Sequence, residues 1–141
     1  MVIRTMEIGD YERVYNLWAN TPGVGLNDID DSKEGIEKYL KRNPNTCFVA
    51  ESNKKIIGSI LSGHDGRRGY IYHAAVLGAE RELGVGTALV EAAISALERE
   101  GINKAALVVF FSNENGNRFW ENRGFIKRDD LIYRNRDLRD I

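Results

Sequence analysis

RELGVGTALV, residues 81–90, sets two glycines in G-x-G spacing directly before an alanine-rich segment with a helical apolar face. Glycine lacks a Cβ, so a backbone built this way can be approached closely. A helix that begins just after it aims unpaired N–H groups and the positive end of its dipole at one point. The stretch therefore reads as an anion site suited to phosphate. Several ligands compete for such a turn. A dinucleotide site asks for G-x-G-x-x-G, and the third position here is Leu89. A P-loop asks for a lysine after its last glycine, and none follows Gly86. The remaining reading is a turn whose glycines only let strand and helix pack tightly.

The flanking chain supplies the context. VIRTME (2–7) reads as a strand, and Asp10 as the N-cap of a helix with Tyr11, Val14, Leu17 and Trp18 on one face. NTPGVGLNDIDD (20–31) is a loop by its Pro, Gly and Asn content. A helix from Ser32 turns Ile36, Tyr39 and Leu40 inward and stops near Pro44. TCFVAE (46–51) and KIIGSILS (55–62) form a hairpin through Ser52-Asn53-Lys54, and GHDGRRG (63–69) carries an Asp-Gly turn before the strand YIYHAAVL (70–77). The glycine turn then opens a helix reaching about Glu100, with Gly101 as its stop. KAALVVF (104–110) reads as a buried strand, 113–124 as a short helix, and 125–138 as one bent strand or two short ones. The order β-α-α-β-β-β-α-β-α-β predicts an α/β fold, a mixed sheet with helices on both faces.

Composition narrows the function classes. A chain of 141 residues with 43% apolar and 29% charged residues predicts one globular domain over 1–141. Its net charge of -1 provides no field to recruit nucleic acid or a membrane. The arginine clusters (Arg67 and Arg68; Arg134, Arg136 and Arg139) are interleaved with acids or lie at a turn. Cys47, the only cysteine, sits in the apolar run TCFVA, which favours a small core residue over a nucleophile and a reducing compartment. The N-terminus has no apolar leader, so a cytoplasmic location is expected. Two histidines without zinc spacing argue against a metal site.

Three segments together carry a family resemblance. Arg81-Glu82-Leu83-Gly84-Val85-Gly86 matches [QR]-x-x-G-x-[GA]. Ala74-Ala75-Val76 ends the strand before it. Asn113, Trp120 and Arg123-Gly124-Phe125 match N-x-x-[AG]-x-x-x-[YW]-x-x-x-G-F downstream. The chain resembles the GNAT superfamily of N-acetyltransferases along nearly its whole length and in the right order. The resemblance implies a mostly antiparallel sheet of six or seven strands flanked by about four helices. It implies acetyl-CoA as acyl donor and a primary amine of a small molecule or a protein as acceptor, attacking directly without a covalent enzyme intermediate. A homodimer is compatible with it. The amides of Glu82, Leu83, Gly84, Val85, Gly86 and Thr87 would hold the pyrophosphate, with Arg81 lining the turn. Main-chain groups of Ala74, Ala75 and Val76 would bond the pantetheine, and the side chain of Asn113 would contact it where the strands 70–77 and 104–110 splay.

The catalytic groups depart from the family pattern. Positions where relatives often place Glu or His are Tyr70 and Tyr72, and a phenol of pKa near ~10 is a poor base at neutral pH. His73 has a suitable pKa, but strand alternation turns it away from those tyrosines, where it serves either as base or as a hydrogen-bonded structural residue. Tyr72 is the second catalytic candidate, against a packing role. The family's usual acid, a tyrosine, is Trp120 here, and indole is no useful acid. Tyr72, Tyr133 or water is left to protonate the thiolate. Trp120 would line the thioester pocket. Asp28, Asp30 and Asp31 either attract a cationic amine or serve as solvated loop and cap residues, and His64 reads as solvated. Two other readings stay open: a non-catalytic acyl-CoA-binding module and a nucleotide-binding regulatory domain.

Overall fold

A computed structural model describes residues 1–80 and 83–141. The elements are β1 (Val2–Thr5), α1 (Tyr11–Ala19), α2 (Lys33–Arg42), β2 (Phe48–Ser52), β3 (Lys55–His64), β4 (Gly69–Val76), α3 (Val85–Arg99), β5 (Ala105–Ala106) and α4 (Glu114–Asn122). They build one sheet in the order β1-β2-β3-β4-β5, antiparallel throughout except for the parallel β4–β5 edge. Strand alternation divides the interior into two cores. Val49, Leu61 and Ala75 pack with Val14, Leu17 and Trp18 of α1 and Ile36 and Leu40 of α2. Phe48, Ala50 and Ile60 pack on the opposite face with Val85, Leu89, Val90 and Ala93 of α3.

Local chemistry explains the element ends. Ser32 caps α2 by accepting from the Gly35 amide at 3.1 Å. Asn53 and Lys54 both adopt left-handed φ, 52° and 65°, as a two-residue hairpin turn with the twist of its flanking strands requires. Asp65 accepts from the amides of Arg67 and Arg68, which holds the turn between β3 and β4.

Three expectations are corrected. Among the described residues the sheet has five strands, not six or seven. The strand expected over 104–110 is reduced to Ala105–Ala106, because the chain beyond it diverges from β4 and finds no ladder partner. No strand forms over 125–138. There Lys127 and Arg128 pair locally with Asp129 and Asp130, and Ile126, Leu131 and Ile132 stay exposed.

Asp10 is a further correction: its side chain does not cap α1. It closes the 3-10 turn Ile8–Asp10 instead, accepting from the Glu7 amide at 2.8 Å and from Arg4 and Arg13 at 2.8 and 2.9 Å. Burial alone would raise its pKa, but the hydrogen bonds from Arg4 and the Glu7 amide, with the charges of Arg4 and Arg13, hold it below the ordinary 3.8. A carboxylate with a depressed folded-state pKa stabilises fully above its unfolded value, and that contribution vanishes as pH falls through the folded one. Asp10→Asn is therefore expected to lower stability at pH 7 by roughly 1–3 kcal/mol, the worth of charge-assisted bonds. It should also flatten the fall of Tm below about pH 4, the ordinary carboxylate range. Thermal melts from pH 7 to pH 2.5 check both.

Candidate active site

The glycine turn opens α3 as its spacing implies. Gly84 is the N-cap with φ +83°, a left-handed conformation that costs other residues about 1–2 kcal/mol. A Cβ at Gly84 would meet nothing within 4 Å, so the surface above the turn is open. The ladder of α3 starts with the Ala88 amide bonded to the Gly84 carbonyl at 3.0 Å. The amides of Val85, Gly86 and Thr87 precede that first bond and so point out of the helix. No acid occupies this first turn. Gly86 serves a different purpose: a Cβ there would lie 3.3 Å from the Phe119 ring, so its absence lets α4 pack on α3. Arg81 and Glu82 lie outside the described residues.

A cation that sequence reasoning passed over stands beside the turn. Arg123, at the end of α4, donates to the Thr87 hydroxyl at 2.7 Å, and its guanidinium sits 5.8 Å from the Phe119 ring centroid. The signal was its place in the Arg123-Gly124-Phe125 run; only folding shows that this run reaches the α3 turn.

Beside the turn the sheet opens. β4 and β5 pair only at Gly69↔Ala105 and Tyr70↔Ala106. Beyond these positions they part around a cleft of about 520 Å³, lined on one side by Tyr70–Ala74 and on the other by Leu107–Phe110, Asn113 and Trp120. On the far side of β4, the Leu77 amide bonds the Ile57 carbonyl at 2.8 Å. Antiparallel ladders alternate, so Ala75 directs its main-chain groups to β3 while Ala74 and Val76 direct theirs into the cleft. Asn113 N-caps α4, its Oδ1 accepting from the Gly116 amide at 2.9 Å. Trp120 packs edge-on against Phe119 and Phe125 at the cleft wall.

A bulge corrects the expected direction of His73. Leu61 pairs with His73 and Ser62 with Ile71, which leaves Tyr72 as an extra residue in β4. The extra residue reverses the alternation, so Tyr72 and His73 both turn toward α1 and α2. Tyr72 packs at a tilt against Tyr70 and meets Tyr39 of α2 edge-on, with centroids 4.6 and 5.7 Å apart. His73 meets Trp18 of α1 at 4.8 Å. Its Nε2 lies 2.7 Å from Asp31 Oδ1, both side chains nearly buried at 12% and 5% exposure. A carboxylate only accepts, so the ring donates through Nε2 and leaves Nδ1 as the proton acceptor. The second oxygen of Asp31 accepts from the Asn27 amide at 2.9 Å. Of the three acids in the 20–31 loop, Asp31 is thus tied into the site, while Asp30 lies at its rim and accepts from Asn27.

The remaining titratable groups sort by environment. Burial, and then the neighbouring Tyr133 and Asp30, raise the pKa of Tyr72, which therefore holds its proton. The Cys47 thiol is pushed up to about 12 by burial and bonds the Ser62 carbonyl, so it is no nucleophile. His64 is paired rather than solvated, 2.7 Å from Glu100 and accepting from the Gly66 amide. Among the described residues no group of three or more His, Cys, Asp or Glu is placed to hold a metal ion. Nor is any helix among them long and apolar enough to cross a membrane.

Known proteins share this fold. Residues 11–125 match the model of the acetyltransferase (GNAT) family. An acetyltransferase of Pectobacterium atrosepticum is 33% identical over 114 residues, covering 81% of this chain and 79% of its own. Another from Sodalis glossinidius is 30% identical over 132 residues, covering 94% and 92%. Among solved structures, Ard1 from Thermoplasma volcanium shares the fold with a TM-score of 0.78 at 23% identity, covering 89% of this chain and 82% of that one. AAC(6')-Iy, solved in complex with the bisubstrate analogue CoA-S-monomethyl-acetylneamine, shares the fold with a TM-score of 0.76 at 17% identity, covering 96% of this chain and 97% of that one. The open glycine turn, the splayed strands and the α4 cap thus sit in a chain that belongs to the GNAT acetyltransferase family.

Proposed function

We propose that this protein transfers an acetyl group from acetyl-CoA to a primary amine by direct attack of the amine on the thioester. The observation that carries the reading is the parting of β4 and β5 beside an open, acid-free helix N-terminus. The amides from Leu83 to Thr87 would take the pyrophosphate, with Arg123 adding a positive charge, and Arg81 and Glu82 completing the turn. Ala74 and Val76 would bond the pantetheine along the open edge of β4, Ala75 supporting them from the β3 side, and Asn113 and Trp120 would close the opposite wall.

The bound thioester supplies the acyl group; the protein's own residues handle the proton and the geometry. An acceptor ammonium with pKa near ~10.4 must lose a proton before it attacks. His73 Nδ1 accepts that proton, directly or through water, while Asp31 orients the ring and offsets the charge it gains. A main-chain N–H of β4 in the cleft polarises the carbonyl. Tyr72, whose raised pKa keeps it protonated, donates to the departing thiolate. The single thiol, buried and reduced, agrees with a cytoplasmic setting.

A thiol-release assay on the purified protein with acetyl-CoA and a panel of amines tests the reading. Amine-dependent release of free CoA is expected. Tight acetyl-CoA binding with no turnover on any amine would instead make the chain a cofactor-binding module.

A further inference from the structure

We infer that the acceptor is a small amine bearing a single positive charge on an aromatic or branched apolar body, rather than a polycation or a lysine within a polypeptide. This rests on the acetyl-transfer reading above and deepens it by naming the acceptor class. The cleft wall holds no Asp, Glu, Lys or Arg among the described residues. The surface it offers is aromatic: Tyr70, Tyr72, Tyr133 and Phe110, with Tyr39 backing the Tyr72 ring from behind. Such faces attract one cation and stack on an apolar body.

Two carboxylates come near, and neither makes a polycation site. Asp31 is committed to His73 and to the Asn27 amide. Asp30 is exposed and accepts from Asn27, and its charge reaches Tyr72. One carboxylate and several ring faces match one ammonium. A polyamine or aminoglycoside would bring further cations into an uncharged wall and lose their hydration without a partner.

The shape argues against a lysine within a polypeptide. The 20–31 loop reaches across the cleft, so that a Cβ at Gly23 would lie 3.2 Å from Asn113 Nδ2 and one at Gly25 3.9 Å from the Phe110 ring. That bridge narrows a space of about 520 Å³ that the pantetheine must share, so the room left for an acceptor is that of a small molecule. A lysine within an extended chain needs an open groove on both sides of its reacting amine.

Calorimetric titration of the CoA-loaded protein compares 2-phenylethylamine, spermidine and a hexapeptide with a central lysine and a blocked N-terminus, with thiol release measured in parallel. The arylalkylamine is expected to bind roughly tenfold more tightly than either of the others, as a desolvated cation–π contact allows. Tyr70→Leu should remove most of that preference. Val108→Asp, which sets a carboxylate on the exposed cleft wall, should shift it toward spermidine. Equal or tighter binding of spermidine or the peptide overturns the inference. Preferential binding of the arylalkylamine without thiol release supports it and refutes acetyl transfer alone.

Discussion

Gly84→Asp is expected to abolish acetyl-CoA binding while leaving the protein folded. The position separates the two effects with unusual clarity. Its φ of +83° means that a side chain brings backbone strain, about 1–2 kcal/mol in the left-handed region. Nothing lies within 4 Å of the Cβ position, so no packing is lost or overfilled. The melting temperature should fall by only a few degrees, about 4–8 °C per kcal/mol being the rule for small domains and somewhat less at this length. Binding suffers from two sources. The carboxylate would project into the open space proposed for the pyrophosphate, and it would itself accept from the α3 amides and from Arg123. An affinity loss of at least about 100-fold, some 2.7 kcal/mol, is expected. Gly84→Ala separates strain from charge: it should show the same small loss of stability and a much smaller loss of affinity. Equal affinities in both variants would place the donor elsewhere on the molecule.

The difference between legible and illegible features follows from where the information resides. Ser32, the Asn53–Lys54 turn, Asp65-Gly66 and Gly84 act within a few residues, and sequence reading placed each of them. Asp10 looked equally local, yet Arg4 and Arg13 draw its carboxylate away from the α1 amides into an ion-paired turn. KAALVVF has the composition of a buried strand, but a strand needs a partner, and beyond Ala106 β4 has turned aside. The bulge at Tyr72 was the costliest omission. No glycine or proline announces it; it exists because of how β4 registers on β3, and a one-residue shift reverses every later side chain. Strict alternation therefore separated His73 from Tyr72 and hid its partner Asp31, 42 positions away.

That misreading bears on catalysis, because it was the reason to doubt His73 as the base. His73→Gln is expected to lower kcat at neutral pH by roughly 10²–10³-fold, the range for loss of general-base catalysis. Glutamine can still donate an amide N–H to Asp31, so the loop stays attached to β4 and acetyl-CoA affinity is unchanged. It has no basic nitrogen to stand in for Nδ1. Raising the pH should restore part of the rate, since an acceptor amine with pKa near ~10.4 then sheds its own proton to solvent. His73→Ala behaves differently. It leaves the nearly buried Asp31 carboxylate with only the Asn27 amide, and taking away one hydrogen-bond partner of a buried acceptor costs about 1–3 kcal/mol. The alanine variant should therefore lose stability and activity together, whereas the glutamine variant loses activity alone and regains it with alkali. A glutamine variant with the parent's kcat and pH profile would assign His73 to holding the acceptor loop and transfer the base's role to ordered water or to the rim carboxylate of Asp30.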